Sequence, residues 1–188
     1  MTASTPAAPL PRARTLVHPG PVGPIRLEHR HANRARHFRL VLAPGRTMHD
    51  ALAWPLRALG IGACSMTLLG GRLASLLYCV APPDPSGERV ANYTRPIPAG
   101  ASTLIFGNAT FGLSARGEPL VHCHATFARE DGQVRGGHVV VDRSVVGTGP
   151  VTVLVTSLDG IELRITQDEE THMPLMRPFA ATEAAHVA

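Results

Sequence analysis

Alternating apolar and polar positions dominate the second half of this chain and predict a β-rich protein. One long strand is expected over residues 102–113, with a bend at Gly107, and a hairpin turn at 114–118 leads into a strand that contains His122. Shorter apolar runs predict further strands, with a weaker edge strand at 90–96. These runs lie at residues 37–43, 63–69, 72–80, 139–141, 144–146, 151–157 and 161–166. The last two are expected to form a hairpin around Asp159-Gly160, which is a strong two-residue turn signal.

Leucines at helical spacing predict one principal helix between Thr47 and Gly60. Thr47 is suited to the N-cap, with Asp50 as its capping-box partner, and Gly60 fits the end of the helix. Pro55 lies inside the helix and is expected to kink it. The leucines are Leu52, Leu56 and Leu59. The predicted fold class is therefore α+β, a mostly antiparallel β-sheet with one principal helix packed on it.

Composition changes at both ends of the chain and predicts one domain with two extensions. Residues 1–35 are rich in proline and arginine, which predicts a partly disordered N-terminal arm. Residues 36–178 form the expected domain, and 179–188 form a C-terminal tail. Prolines at 174 and 178 argue against regular structure anywhere in 171–188.

Positive charge is concentrated in the first quarter of the chain. Residues 1–46 contain eight arginines and one acid, whereas the remainder has a net charge of −3. Such a basic leader is typical of an arm that contacts nucleic acid or an acidic partner. The candidate phosphate-contacting residues are Arg26, Arg30, Arg34 and Arg36. The alternative is a solvated segment with no partner.

The three cysteines, Cys64, Cys79 and Cys123, are odd in number and form no CxxC motif. They are expected to be buried small apolar residues in a reducing compartment. The first residues have no apolar signal segment, and no stretch has the length of a membrane span. We therefore expect a cytoplasmic protein that does not enter a membrane.

Three histidines form the most informative pattern in the sequence. His122 and His124 are two residues apart, so in a strand both side chains lie on one face. A three-residue loop over 130–132, with Gly132 in a positive-φ position, would place His138 opposite His124. A two-residue loop, or a bulge at Gly136-Gly137, would change that register. The two glycines have an alternative role, which is close approach to a neighbouring backbone or ligand.

Three neutral imidazoles on one face provide ligands for Zn²⁺ or another divalent ion. The alternative is a polar cluster in which the rings hydrogen-bond to the backbone or to each other. Spacing places no general base beside the histidines. The nearest acids are Glu118, Glu130, Asp131 and Asp142. A catalytic residue is therefore not identified, and a role as an enzyme stays open.

The run PLVHCHATFAREDGQVRGGHV, from Pro119 to Val139, resembles the signature of the PPC domain, the plants and prokaryotes conserved domain. That family includes plant AT-hook nuclear proteins and stand-alone bacterial and archaeal proteins. The resemblance extends over roughly residues 35–178 and is firm over 102–166. The Arg-Gly-Arg-Pro core of the AT-hook is absent from this sequence. DNA binding through an AT-hook, as in the plant proteins, therefore cannot be inferred for this chain.

The resemblance implies a bacterial stand-alone PPC protein that assembles as a homotrimer, with the histidine strand near the subunit boundary. Two functions are consistent with the residues. The first is a DNA-binding or regulatory interaction protein that uses its basic arm and trimer surface. The second is a metal site at the three histidines that senses or hydrolyses a small molecule.

Overall fold

A computed structural model describes residues 16–32 and 34–181. It contains ten strands and one helix in these ranges. The helix is α1 (Met48–Ala58), and the strands are β1 (His37–Val41), β2 (Cys64–Leu68), β3 (Gly71–Cys79), β4 (Ile97–Leu113), β5 (Pro119–Arg129), β6 (Val134–Val139), β7 (Val145–Val146), β8 (Thr152–Ser157), β9 (Ile161–Gln167) and β10 (Pro174–Ala180). The predicted α+β class, with a mostly antiparallel sheet and one helix, is confirmed.

The strands form one sheet in the order β1-β8-β2-β4-β5-β6-β3-β7. Strand β3 also pairs with the first half of β4, so this part of the sheet curls back on itself. Antiparallel pairing connects every neighbour in this order, and β9 adds a single parallel pairing to β4. The long strands β4 and β5 pair along eleven positions and form the centre of the sheet.

Helix α1 covers one face of the sheet. Its N-cap is Thr47, whose Oγ1 accepts a hydrogen bond from the Asp50 amide at 3.1 Å. Leu52 and Leu56 are fully buried against inward-facing residues of β4 and β5 such as Phe127. On those strands the core residues alternate with outward-facing ones, as period-two patterning requires. The opposite face of the sheet carries the polar positions, including the histidines.

Several predicted elements differ in the structure. The edge strand predicted over 90–96 is wrong, because those residues form a loop with only one bridge, Pro83 to Ala91. The long strand begins at Ile97 rather than at residue 102 and includes Pro98 and Gly100. Its pairing with β3 shifts in register twice along this stretch. Its distortion on the β5 side lies between Leu104 and Phe106 rather than at Gly107.

The predicted hairpin of 151–157 with 161–166 is also wrong. Strand β8 pairs with β1 and β2, whereas β9 pairs with β10. The turn at Asp159-Gly160 is present, with Ile161 donating to Leu158 O at 3.1 Å, but the two strands then diverge. The expectation of no regular structure in 171–188 is wrong, because residues Pro174–Ala180 form strand β10. Pro178 is tolerated there because β10 is an edge strand, which pairs only with β9.

All three cysteines are buried and free, as predicted. Among the described residues, no helix is both long enough and apolar enough to cross a membrane.

Candidate metal centre

The turn between β5 and β6 determines how the histidines are arranged. Arg129 donates to Gln133 O at 2.9 Å, and Gly132 has a φ of 79°, so the loop is the predicted three-residue one. The register then places His124 opposite His138. The predicted sharing of one face by His122, His124 and His138 is thereby confirmed.

The pairing of β5 with β6 is continuous through Gly136 and Gly137, so neither glycine forms a bulge. A Cβ atom on Gly137 would lie 2.4 Å from the carbonyl oxygen of Cys79 on β3. A Cβ atom on Gly136 would lie 3.2 Å from the carbonyl oxygen of Ala125. Gly137 therefore permits a close approach of β6 to β3, and this approach sets the position of the neighbouring His138.

The three imidazoles lie together on the outer face of the sheet. Nε2 of His122 is 3.2 Å from Nε2 of His124, and one ring nitrogen from each histidine lies within 4.8 Å of the others. His122 and His138 are partly buried, whereas His124 is exposed. The cluster thus faces solvent on one side.

Burial, reinforced by the other imidazoles, lowers the pKa of two histidines. The pKa of His138 falls to about 4, first because the ring is desolvated and then because His122 and His124 lie beside it. Burial and His124 also lower the pKa of His122. Both rings are therefore neutral at pH 7, which is the form that binds metal ions.

The spacing of His122 and His124 fits two nitrogen ligands of one divalent ion, and a ring nitrogen of His138 lies within 4.8 Å of both. Two nitrogens bound to tetrahedral Zn²⁺ at its usual bond length lie about 3.3 Å apart, close to the 3.2 Å separation of the two Nε2 atoms. Nδ1 of His138 is buried and has no hydrogen-bond partner among the described residues. The 3.2 Å separation also fits a hydrogen bond between two neutral rings, which is the alternative considered above.

A shallow cleft of about 290 Å³ adjoins His124. Its lining contains no carboxylate and consists of Phe106, Gly107, Asn108, His124, Ala125, Thr126, Gly136 and Gly137. The acids considered as general bases lie elsewhere. Glu118 lines a separate groove beside α1, and Asp142 Oδ1 lies 3.9 Å from His49 Nδ1. Glu130 and Asp131 lie in the turn between β5 and β6, where Asp131 accepts a hydrogen bond from the Gln133 amide.

Neighbouring strands contribute residues that the sequence reasoning missed. Asn108 and Thr110 on β4 are paired with His124 and His122, so they share the outer face with them. The alternation of polar and apolar residues along β4 is the signal that could have found them. Tyr93 contacts His138 from the loop between β3 and β4, and no local pattern points to that contact.

The four arginines proposed for nucleic-acid contact do not form one free surface. Arg34 and Arg36 both bind Asp159, at 3.0 and 3.2 Å, and Arg36 also donates to Leu59 O at the end of α1. Arg30 donates to the neighbouring His29 carbonyl and has no acidic partner among residues 16–32 and 34–181.

Arg26 belongs to a contact that ties the arm to the β9–β10 hairpin. The carboxylate of Glu170 accepts hydrogen bonds from the Gly23 amide, His18 and Arg26. These three donors, the amide first, lower the pKa of Glu170 to about 2. A second ion pair joins Glu28 of the arm to Arg177 of β10, with Nε 2.9 Å from the carboxylate.

Comparison with known proteins identifies sequence and fold relatives. The family model described as the Plants and Prokaryotes Conserved (PCC) domain matches residues 29–159, a range that includes the whole histidine cluster. Among curated proteins, no sequence matches this chain.

Solved structures with the same fold have low sequence identity to this chain. A metal-containing protein from Archaeoglobus fulgidus is 18% identical, covers 81% of this chain and 99% of its own, and has a TM-score of 0.61. A plant- and prokaryote-conserved protein from Pyrococcus horikoshii is 21% identical over 77% and 92% of the two chains, with a TM-score of 0.56. A candidate DNA-binding protein from Ralstonia eutropha JMP134 is 19% identical over 74% and 89%, with a TM-score of 0.58.

Proposed function

The chain belongs to the Plants and Prokaryotes Conserved (PCC) domain family, and from that premise we propose that His122, His124 and His138 bind a divalent metal ion of the zinc type. The observation that carries the proposal is the convergence of three ring nitrogens within 4.8 Å of one another. The lowered pKa values of His122 and His138 and the unpartnered Nδ1 of His138 support it. The metal-containing relative from Archaeoglobus fulgidus is consistent with it.

Three histidine ligands leave one coordination position for a small molecule. The cleft beside His124 would hold such a molecule, with the Asn108 amide available for hydrogen bonding and the Phe106 ring for apolar contact. Because no carboxylate lines the cleft, the residues present favour binding of a ligand over hydrolysis assisted by a general base. We therefore assign the site a sensing role in preference to a hydrolytic one.

The metal proposal is tested by elemental analysis of protein purified without chelators, with one metal ion per chain as the expected result. His124→Ala should lose that ion. The matched control is His37→Ala, since His37 is also an exposed histidine on the outer face of the sheet but lies on β1. Equal metal content in His124→Ala and the unaltered protein would reject the site.

We propose in addition that the protein assembles as a homotrimer through the outer face of the sheet. Exposed apolar side chains lie on this face, and they are Val41, Leu69, Phe106 and Leu154. Grouped apolar side chains left in water are typical of a protein interface. Phe106 also lines the cleft at His124, which would place the histidine cluster near the subunit boundary.

A second candidate function is nucleic-acid binding through the arm. Arg30 is free of acidic partners in the described part of the chain, and relatives from Ralstonia eutropha and Bacteroides thetaiotaomicron are candidate DNA-binding proteins. To contact a phosphate group, Arg26 would have to break its ion pair with Glu170. Arg34 and Arg36 are less suited, because they hold Asp159 and the end of α1.

This second function is tested by measuring the affinity for random duplex DNA across a series of salt concentrations. Replacing Arg26 and Arg30 by alanine should weaken binding and reduce the salt slope by about one unit for each lost phosphate contact. Arg116→Ala, an exposed arginine in the β4–β5 turn, is the control. If the double variant binds as the control does, the arm has no role in DNA binding.

A further inference from the structure

Tyr93 packs its ring against His138. The ring centroids are 4.9 Å apart and the planes are inclined at 46°. Among the described residues, Tyr93 is the only aromatic side chain other than the histidines themselves that stacks on the cluster. The tyrosine therefore covers one side of the imidazole whose other neighbours are His122 and His124.

The backbone on both sides of Tyr93 is anchored to the end of β3. Thr94 donates its amide to Val80 O at 2.9 Å, and its Oγ1 accepts from the Val80 amide at 3.2 Å. On the other side, Asn92 donates to Pro82 O at 3.0 Å. The ring thus projects from a backbone segment that is fixed at the residues before and after it.

A second anchor lies at the far end of the same loop. Val90 donates to Thr171 O at 3.0 Å, and Nδ1 of His172 lies 2.8 Å from Glu88 O. Both partners belong to the β9–β10 connection. The loop is therefore held between two separate parts of the fold and carries Tyr93 to a defined place.

His138 lacks the hydrogen bonds that usually orient a metal-binding histidine. Such a ring normally donates its second nitrogen to a carboxylate or carbonyl. Neither ring nitrogen of His138 has a hydrogen-bond partner within 16–32 or 34–181. The backbone of His138 is held by pairing with His124 on β5 and with Cys79 on β3, so the orientation of the imidazole ring is what remains to be constrained.

We propose that Tyr93 is a positioning residue of the metal site, and this inference rests on the metal-binding function proposed above. Packing against the tyrosine ring restricts the rotation of the His138 imidazole and keeps a nitrogen directed toward His122 and His124. Ring contact thereby replaces the missing hydrogen bond. The ring of Tyr93 rather than its hydroxyl group carries the effect.

The test compares the Zn²⁺ affinity of Tyr93→Ala, Tyr93→Phe and the unaltered protein by competition with a chromophoric chelator. Tyr93→Ala should weaken binding about tenfold, at the low end of the range for lost orienting partners. Tyr93→Phe, which keeps the ring, should restore the affinity to within about twofold. The visible absorption of bound Co²⁺ should change in Tyr93→Ala and not in Tyr93→Phe, because it reports ligand geometry.

Trp54→Ala is the control, since Trp54 is an exposed aromatic residue on α1, outside the site. It should leave both readouts unchanged. If Tyr93→Ala fails to fold, Tyr93→Leu preserves apolar volume without the ring, and a loss of at least about threefold is then expected. Unchanged affinity in the folded alanine or leucine variant, or an equal loss in Tyr93→Phe, overturns the role of the ring. Failure of the unaltered protein to bind Zn²⁺ or Co²⁺ would instead overturn the metal-binding proposal itself.

Discussion

His138 combines three properties that bear on metal binding. It is partly buried, it lies beside two other imidazoles, and neither ring nitrogen is hydrogen-bonded within the described ranges. Burial is the largest cause of its low pKa, followed by the effect of His122 and His124. These properties disfavour a proton on the ring and favour a neutral nitrogen ligand.

The titration of His138 predicts a pH-dependent stability of the metal-free protein. The ordinary pKa of 6.5 applies to the unfolded chain, and the folded value is about 4. The contribution is therefore fully present above pH 6.5 and is lost as the pH falls toward 4, because only the unfolded chain gains the proton. Allowing for the half-exposed ring, we expect a loss of about 1 kcal/mol in the free energy of unfolding.

The measurement is a series of urea denaturation curves with EDTA between pH 4 and pH 7.5. His138→Asn should show a shallower decline of the free energy of unfolding than the unaltered protein. Declines of equal steepness in the two proteins would contradict the assignment to His138.

Gly137 is the position where a single methyl group should disturb the site most. Alanine there would place Cβ 2.4 Å from Cys79 O and 3.0 Å from the Tyr78 ring. We expect Gly137→Ala to lower the free energy of unfolding by about 2–3 kcal/mol, since overpacking forces the backbones apart. Metal affinity should fall as well, because β6 carries His138.

Gly136→Ala is the comparison for this experiment. Its Cβ would lie 3.2 Å from Ala125 O, which a small shift relieves, and the cost should stay below about 1 kcal/mol. Urea denaturation of both variants gives the free energies. The same cost at 136 and 137 would show that close approach to β3 is not the reason for the glycine at 137.

At the scale of elements, the β4–β5–β6 meander was predictable and the elements around it were less so. The turn residues and the alternation of β5 are consecutive in sequence, so they determine the register of His124 with His138 locally. The apolar runs of β8 and β9 are as well suited to a hairpin as those of β4, β5 and β6. They do not pair with each other because β8 lies between β1 and β2, two strands that are far from β8 in the sequence.

The arm contacts the β9–β10 hairpin through Glu170. Added salt should weaken this contact more than mild acid does. Glu170 has a pKa of about 2, so the carboxylate keeps its charge at any pH above about 4, and its contribution is lost only as the pH falls toward 2. Exposed ion pairs of this kind are weakened by salt.

Glu170→Gln should loosen the arm without unfolding the domain. Trypsin cleavage after Arg26 or Arg30 should become several times faster, because three donors lose their charged acceptor. Glu169→Gln, at the neighbouring position, is the matched control. Equal cleavage rates in the two variants, measured by mass spectrometry, would show that Glu170 does not hold the arm.

In the molecule as a whole, the outer face of the sheet exposes apolar side chains that binding to another chain would bury. Helix α1 covers the other face, whereas the outer face exposes Phe106 to 48% and Leu154 to 45%. The proposed trimer would bury these side chains. The histidine cluster of each chain would then lie near the subunit boundary.

Phe106→Glu should shift the protein from trimer to monomer, because a carboxylate cannot be buried there without a partner. Trp54→Glu introduces the same charge on α1, where the residue it replaces is 71% exposed, and should leave the mass unchanged. Sedimentation equilibrium gives the mass of each variant. A monomeric unaltered protein, or a trimeric Phe106→Glu, would contradict the proposed interface.

The amino-acid sequence by itself determined the fold class, the helix from its Thr47 cap onward and the common face of the three histidines. Each depends on the period of side chains along an element or on a short turn, which contiguous residues encode. Only the tertiary structure decided the strand order, the pairing of β10 with β9, the use of Arg34 and Arg36 by Asp159, and the contact of Tyr93 with His138. These join residues far apart in the chain, and their pairing depends on how the whole chain buries its apolar surface rather than on any local pattern.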